Sequence, residues 1–420
     1  MEKKIDVHTT FVVPGPAAIK LIAGEANIFG AKLSTDAKVI VRKGRGMPVE
    51  VMGDSIIDIT SENPSETIEV LGSTTPPSWK EAANKALTCT KRCKTVILGD
   101  VDSGKTSFCT FLANIATSHG RKVGVIDADI GQADIGPPTT MGLGLVTEPV
   151  FDLFTVEAKE IFFVGAINPR YVEEVIGDGI LYLIKKGEEL NADFLVINTD
   201  GWIQDEEAKQ YKIRLLKRIF PEIIIGIQFG DELKPILNEF NNADSTILYL
   251  DAPSNIIKRT KNERRELREQ GYRKYLREGA TRVLSLKETV MEYAQASTTK
   301  TLKSEKISML EQILNSKILY NGERADYILL VSTNYDSIIE EKKRELGSIL
   351  RKPIQITDVR RSLAALFNKD NGFLGLGIIQ NVDCYKQKIR LFTPCKDNIS
   401  LIKLSHVKIT AQGKELGIVP

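Results

Sequence analysis

From about residue 94 the chain alternates short, wholly apolar runs with longer stretches in which apolar residues recur every three or four positions. The runs are Thr95–Leu98, Val123–Ile126, Phe162–Val164, Phe194–Ile197, Ile223–Ile227 and Ile247–Leu250. Between the first two, Phe108, Phe111, Leu112 and Ile115 fall at i, i+3, i+4 and i+7, one face of a helix ending near Gly120. Strands apolar on both faces are buried on both, and helical spacers between them are what a parallel sheet covered on two sides requires. The pattern over 94–295 thus predicts a doubly wound α/β domain. Residues 1–75 read differently: Thr10–Val13, Ala17–Ala23, Ala37–Val41 and Ser55–Ile59 are strand-length runs broken by turn residues, which predicts a small β-sandwich-like domain. Ser73–Ser78, with two prolines, reads as a linker. Past residue 299 a helical stretch (Ser304–Ser316), a strand (Ile328–Val331) and a glycine-punctuated tail (Gly372, Gly375, Gly377, Gly413) predict a mixed α+β domain. The expected division is 1–75, 76–298 and 299–420.

Composition narrows the class. The 420 residues are 42% hydrophobic and 27% charged, with 57 basic against 55 acidic side chains, a net +2. That is ordinary globular usage, and too balanced for a protein that coats polyanions over its whole surface. No apolar run reaches the ~18 residues of a membrane span, so no membrane partner is expected. Five cysteines and three scattered histidines argue against a disulfide framework or a zinc site and for a reducing, cytoplasmic setting.

The chemistry concentrates in four places. Gly99-Asp100-Val101-Asp102-Ser103-Gly104-Lys105-Thr106 satisfies the phosphate-binding pattern G-x-x-x-x-G-K-[ST], with a buried strand entering and an amphipathic helix leaving. Backbone N–H groups of such a loop and of the helix start, Ser107 included, point at phosphate oxygens. Lys105 reaches the outer phosphates and the Thr106 hydroxyl can ligate Mg²⁺. Second, the strand ending in Asp127-Ala-Asp129-Ile-Gly-Gln132 supplies carboxylates on a neighbouring β-edge. Spaced by two on an extended backbone, Asp127 and Asp129 would share a side. One would hold the metal, the other would accept a proton, and Gln132 would orient the nucleophile. Third, Asn198-Thr199-Asp200-Gly201-Trp202 places Thr199 as a polar clamp and Trp202 as a stacking or wall residue. The alternative there is a turn with a buried indole. Trp79, at the linker, reads equally as core or as a wall of the nucleotide pocket. Fourth, residues 258–277 hold nine basic and three acidic side chains, +6 by difference. Such a run is either a solvated helix face or an arginine lid that neutralises charge over a triphosphate.

Taken together these motifs resemble the polynucleotide 5′-hydroxyl kinases related to the kinase subunit of the mRNA cleavage factor and to the pre-rRNA-processing kinase. The shared elements are the G-D-x-D-S-G-K-T loop, the D-x-D-x-G-Q strand end, the N-T-x-G-W clasp and an R-x-x-x-x-R lid at Arg259 and Arg264. Gly24–Gly30 and Gly372–Ile378 are similar to the family's flanking domains. The resemblance implies a P-loop kinase fold and transfer of the ATP γ-phosphate to the 5′-OH of RNA, and often of DNA, with Mg²⁺. It also implies protein partners in RNA processing, Asp129 as base or metal-linked carboxylate, Arg259 and Arg264 on the lid, and Thr199 on the nucleic-acid clasp. One departure is Phe163–Pro169, an apolar version of the family's Gly-Ser/Thr-x-x-Pro loop. The competing readings are a nucleotide-loaded, non-catalytic scaffold of an RNA-processing complex and an ATPase or GTPase switch.

Overall fold

Seven strands form the central sheet, in the order Ala158–Phe163, Thr140–Val146, Val123–Asp127, Phe194–Asn198, Cys93–Gly99, Ile223–Gln228 and Thr246–Asp251. The computed structural model describes residues 2–418 apart from 6, 36, 90, 91, 243, 257, 295–301, 324–327, 333–339 and 384. From Val123–Asp127 to Thr246–Asp251 neighbouring strands run parallel. The helices Lys105–Ser118, Glu173–Glu189 and Glu206–Ile219 connect and cover them. Four of these five strands are buried along nearly their whole length, as their continuous apolar runs require.

Two features of this sheet differ from the sequence-based expectation. Thr140–Val146 is an additional strand and pairs antiparallel with Val123–Asp127, so the sheet is mixed. Gly142 within it is there for space, since a Cβ would lie 2.2 Å from the Ile135 carbonyl oxygen. The carboxylate strand also does not adjoin the P-loop strand, because Phe194–Asn198 lies between them. Registers still bring Asp127 opposite Asn198, and Asn198 opposite Ile97, at one C-terminal edge.

The N-terminal β domain packs a four-stranded sheet against a five-stranded one. Gly46–Val51 and Ser55–Ser61 alternate buried and half-buried positions, and Phe11, Val13, Ile19, Val49 and Ile57 lie in its core. The expected linker is only partly one: Pro77 opens a helix, Pro77–Leu87, as proline's fixed φ favours at a first turn.

The chain divides into two units, Met1–Phe162 with Pro169–Arg268, and Phe163–Asn168 with Glu269–Pro420. The α/β region therefore ends earlier than the periodicity suggested. Ala280–Ser285 and Val290–Tyr293 pair with Lys388–Thr393 and Leu401–Ile409 in the C-terminal sheet; the expected boundary at 298 falls outside the described residues. In that second unit Phe163 packs with Ala365 and Phe367, and the Gly165 carbonyl accepts hydrogen bonds from Ser405 Oγ (2.8 Å) and His406 N (2.9 Å). The apolar 163–168 segment is thus part of a β core. A small three-stranded sheet (Ile318–Glu323, Ile328–Ser332, Ile354–Asp358) and the helices Ser304–Leu314 and Glu340–Leu350 complete this unit.

Candidate active site

The P-loop leaves its strand at Gly99, and the helix Lys105–Ser118 begins at once. Its backbone N–H groups at that end have no intrahelical partners. Lys105 is buried, and its Nζ donates to the Asp100 carbonyl at 2.7 Å. Burial holds the ammonium pKa below its usual value against the opposing pull of Asp129. Asp100 is fixed in turn, accepting from Val101 N at 2.7 Å and from the Gln204 amide. Behind the loop Trp79 is 2% exposed, meets Phe108 edge-on at 5.1 Å between centroids, and donates Nε1 to the Asp251 carbonyl at 3.0 Å. It also lines a cavity with Ser107, Arg45 and Arg259. Trp79 is thus a core residue that also contributes to a cavity wall.

Asp127 and Asp129 do not share the side of a strand. The strand ends at Asp127, so the period-two argument stops there. Asp127 is fully buried, and its Oδ2 accepts from Asp134 N (2.6 Å) and Ile135 N (3.1 Å). Its Oδ1 accepts from Asn198 Nδ2 at 3.0 Å, and the same amide nitrogen lies 3.4 Å from Thr106 Oγ1. Desolvation, together with the charges of Asp134 and Asp129, pushes the Asp127 carboxyl up to about 7. Asp129 sits in the following turn, half-buried, with Oδ1 accepting from Gly131 N (3.2 Å) and Gln132 N (3.0 Å). Burial raises its pKa, and Lys105 opposes the shift. Gln132 donates Nε2 to the carbonyls of Gly131 (2.6 Å) and Arg264 (3.2 Å). Its buried Oε1 has no partner among the described residues.

Arg259 and Arg264 converge on the P-loop. Arg259 Nη2 lies 2.9 Å from Asp102 Oδ1, and Arg264 Nη1 lies 3.2 Å from Asp102 Oδ2. Arg264 also donates to the Arg259 carbonyl at 2.6 Å. Locally the sequence builds this with a reciprocal cap: Thr260 N donates to Glu263 Oε2 (2.7 Å) while Glu263 N donates to Thr260 Oγ1 (3.2 Å), starting the helix Lys261–Leu276.

Thr199 lies inside the sheet edge. It is 1% exposed, and its hydroxyl donates to the Ile97 carbonyl at 2.8 Å. It joins two strands through this bond. Trp202 is half-buried, stacked on Tyr211 at 5.9 Å, with the Arg170 guanidinium 5.2 Å from its ring centre and Nε1 donating to Asp205 Oδ2. Its ring is thus engaged by both neighbours. Gly201 has to be glycine, because a Cβ would lie 2.7 Å from Val101 N at the tip of the P-loop.

Three residues in this network carried no sequence signal. Arg42 and Arg45, from the N-terminal domain, both bind Asp134, with Arg42 Nη2 at 2.7 Å from Oδ1. Arg42 also binds Asp152 (2.7 Å) and lies over Phe154. Asp134 is 1% exposed, and its N–H holds Asp127. Only the fold brings residues some ninety positions apart together.

The family model described as the mRNA cleavage and polyadenylation factor CLP1 P-loop matches residues 99–278. A polyribonucleotide 5′-hydroxyl-kinase of Pyrococcus furiosus is 30% identical over 349 residues, covering 82% of this chain and 95% of that protein. The chain belongs to the polyribonucleotide 5′-hydroxyl-kinase family. Its namesake from Methanocaldococcus jannaschii is 28% identical over 80% of this chain and 93% of its own length. The bovine polyribonucleotide 5′-hydroxyl-kinase Clp1 is 23% identical over 66% of this chain and 68% of its own. In fold, the chain matches Clp1p from a solved Clp1p–Pcf11p complex with a TM-score of 0.70 over 97% of both chains, at 11% identity. A P-loop α/β domain with β-rich domains on both sides in sequence is therefore the family's architecture as well as this chain's. No helix among the described residues is long and apolar enough to cross a membrane.

Proposed function

We propose that this kinase-family protein transfers the γ-phosphate of ATP to the 5′-hydroxyl end of RNA. One observation carries the reading: the P-loop lysine, the Thr106–Asn198–Asp127 chain of polar groups and two lid arginines bound to one P-loop carboxylate all meet at one sheet edge. Gly99 to Ser107 form the phosphate cradle, and Lys105 leaves the Asp100 carbonyl for the outer phosphates. Arg259 and Arg264 neutralise Asp102 here, and a triphosphate is the stronger competitor for the same guanidinium groups. Over the γ-phosphate they oppose charge that develops in transfer.

The donor set fits Mg²⁺. Thr106 Oγ1 and Asp127 are hard oxygen donors linked through one amide, and Asn198 Oδ1 is a buried oxygen with no partner among the described residues. No cluster of three His, Cys, Asp or Glu is present among the described residues. That suits an ion bound through one or two carboxylates plus substrate phosphates. Thr106 and Asp127, with Asp129 alongside, would hold it, and it would supply charge neutralisation between the phosphates. Asp129 is the proton acceptor in this reading. Burial makes its carboxylate more basic than usual, and its Oδ2 has no hydrogen-bond partner among the described residues. Gln132 orients the 5′-hydroxyl, and Trp202 walls the polymer end.

We also infer a cytoplasmic enzyme that works with a protein partner in RNA processing, as Clp1p is solved with Pcf11p. The test is labelled ATP or GTP offered with 5′-OH RNA and with single- and double-stranded DNA. Transfer from ATP to RNA ends is expected, and the DNA arms measure how far the acceptor range extends. Nucleotide retained without transfer to any end would leave a scaffold. Hydrolysis stimulated by protein alone would leave a switch.

A further inference from the structure

The mechanism uses none of the basic groups of the C-terminal unit, and there they gather in one place. Two adjoining cavities of about 510 and 580 Å³ share Arg361 and Gln380 in their walls. Arg390 and Phe392 line the first, Arg360 and Lys408 the second. The lining carries four positive charges and, among the described residues, no carboxylate, in a chain whose total is only +2. Arg361 and Arg390 have no ion-pair partner among the described residues. Both are exposed.

The strands explain the arrangement. On Lys388–Thr393 exposed and buried positions alternate, so Lys388, Arg390 and the half-buried Phe392 occupy the outer face. Arg361 sits in a turn with φ +65°, pinned by its N–H to the Ile379 carbonyl (2.6 Å) and by its own carbonyl to Ile409 N (2.8 Å). A fixed backbone holds the cation at the groove at little entropic cost.

We propose that this groove binds the phosphodiester backbone of single-stranded RNA, giving the protein a higher affinity for polymers than for short oligonucleotides. The inference rests on the kinase reading above, which makes RNA the polyanion at hand. An acidic peptide is the less suitable occupant. Peptide recognition needs apolar anchor pockets, whereas the isoleucines of this floor are buried and the groove presents cations, amides and one aromatic edge. That is the chemistry of single-stranded nucleic-acid grooves.

The test measures binding by fluorescence anisotropy of labelled, 5′-phosphorylated RNA of about 20 nucleotides and of about 3 nucleotides to the full chain, without ATP. Arg361→Gln with Arg390→Gln should weaken the longer RNA and shrink its advantage over the shorter one. It should lower the slope of log affinity against log salt by about 1.4, since each phosphate contact on a single strand contributes about 0.7. Between about 50 and 200 mM salt the variant then loses about sevenfold less affinity than the wild type. Arg361→Lys with Arg390→Lys should keep the wild-type slope, which separates charge from fold. An unchanged slope and length preference in the Gln pair, or competition by polyglutamate but not by polyuridylate, would overturn the groove. Because no turnover is involved, failure of the kinase reading would show separately, as 5′-OH RNA bound normally but never phosphorylated when ATP is supplied.

Discussion

Lys105 shows how burial sets both the position and the ionisation of a side chain. Its ammonium is held on the Asp100 carbonyl and its pKa is lowered by desolvation, so it is poised rather than solvated. Lys105→Ala is expected to lower kcat on the order of 10²–10³-fold, the usual cost of one preorganised donor to developing charge, with the thermal midpoint little changed; steady-state labelled-ATP kinetics and a melt check both. Thr199 makes the opposite case. Its motif position suggested substrate contact, yet its hydroxyl is spent on Ile97. Thr199→Val should therefore cost about 1 kcal/mol of stability in denaturant unfolding and leave the KM for RNA unchanged. A raised KM would return the residue to the substrate.

At the scale of elements, the lid matters because its helix start is capped and both of its arginines reach one carboxylate. Arg264→Ala should lower kcat on the order of 10²-fold or more while the KM for ATP moves far less. The reverse split, read from the same kinetics, would make Arg264 a ground-state binder. The Asn198–Trp202 loop is fixed by a different device. Asp200 accepts from Lys212 Nζ (2.8 Å) and Tyr211 Oη (3.0 Å), and both partners are buried on the helix Glu206–Ile219. The loop that carries Trp202 is therefore rigid before any substrate arrives.

At the scale of the first unit, the N-terminal domain is wired to the phosphate-binding edge. Arg42 and Arg45 neutralise Asp134, whose N–H holds Asp127. Burial alone would raise the Asp134 carboxyl, but the two arginines bring it below its usual range. A carboxyl depressed in the folded state contributes stability above its unfolded pKa and loses it as pH falls through the folded one. Arg42→Ala leaves a buried charge half-compensated and should cost about 3–5 kcal/mol near neutral pH. In urea titrations across pH that gap should be full near neutral pH and narrow as acid protonates Asp134, first in the variant, whose half-compensated carboxyl takes up its proton at the higher pH. A gap independent of acid would show that lost packing on Phe154, 3.9 Å from the guanidinium, outweighs the charge.

The local features were legible in the order of residues. Continuous apolar strands announced a covered parallel sheet, and the glycine-lysine pattern announced a strand–loop–helix turn, because strand burial and backbone turns are decided within a few residues. The tertiary structure alone decided what depends on packing from afar. It inserted Phe194–Asn198 between the P-loop and carboxylate strands, gave Thr140–Val146 to the sheet, moved Ala280–Tyr293 to the C-terminal unit, turned Thr199 inward and brought Arg42 to Asp134. Strand order and long-range ion pairs leave no local trace. They are fixed by which buried surfaces and charges find complements once the chain has folded.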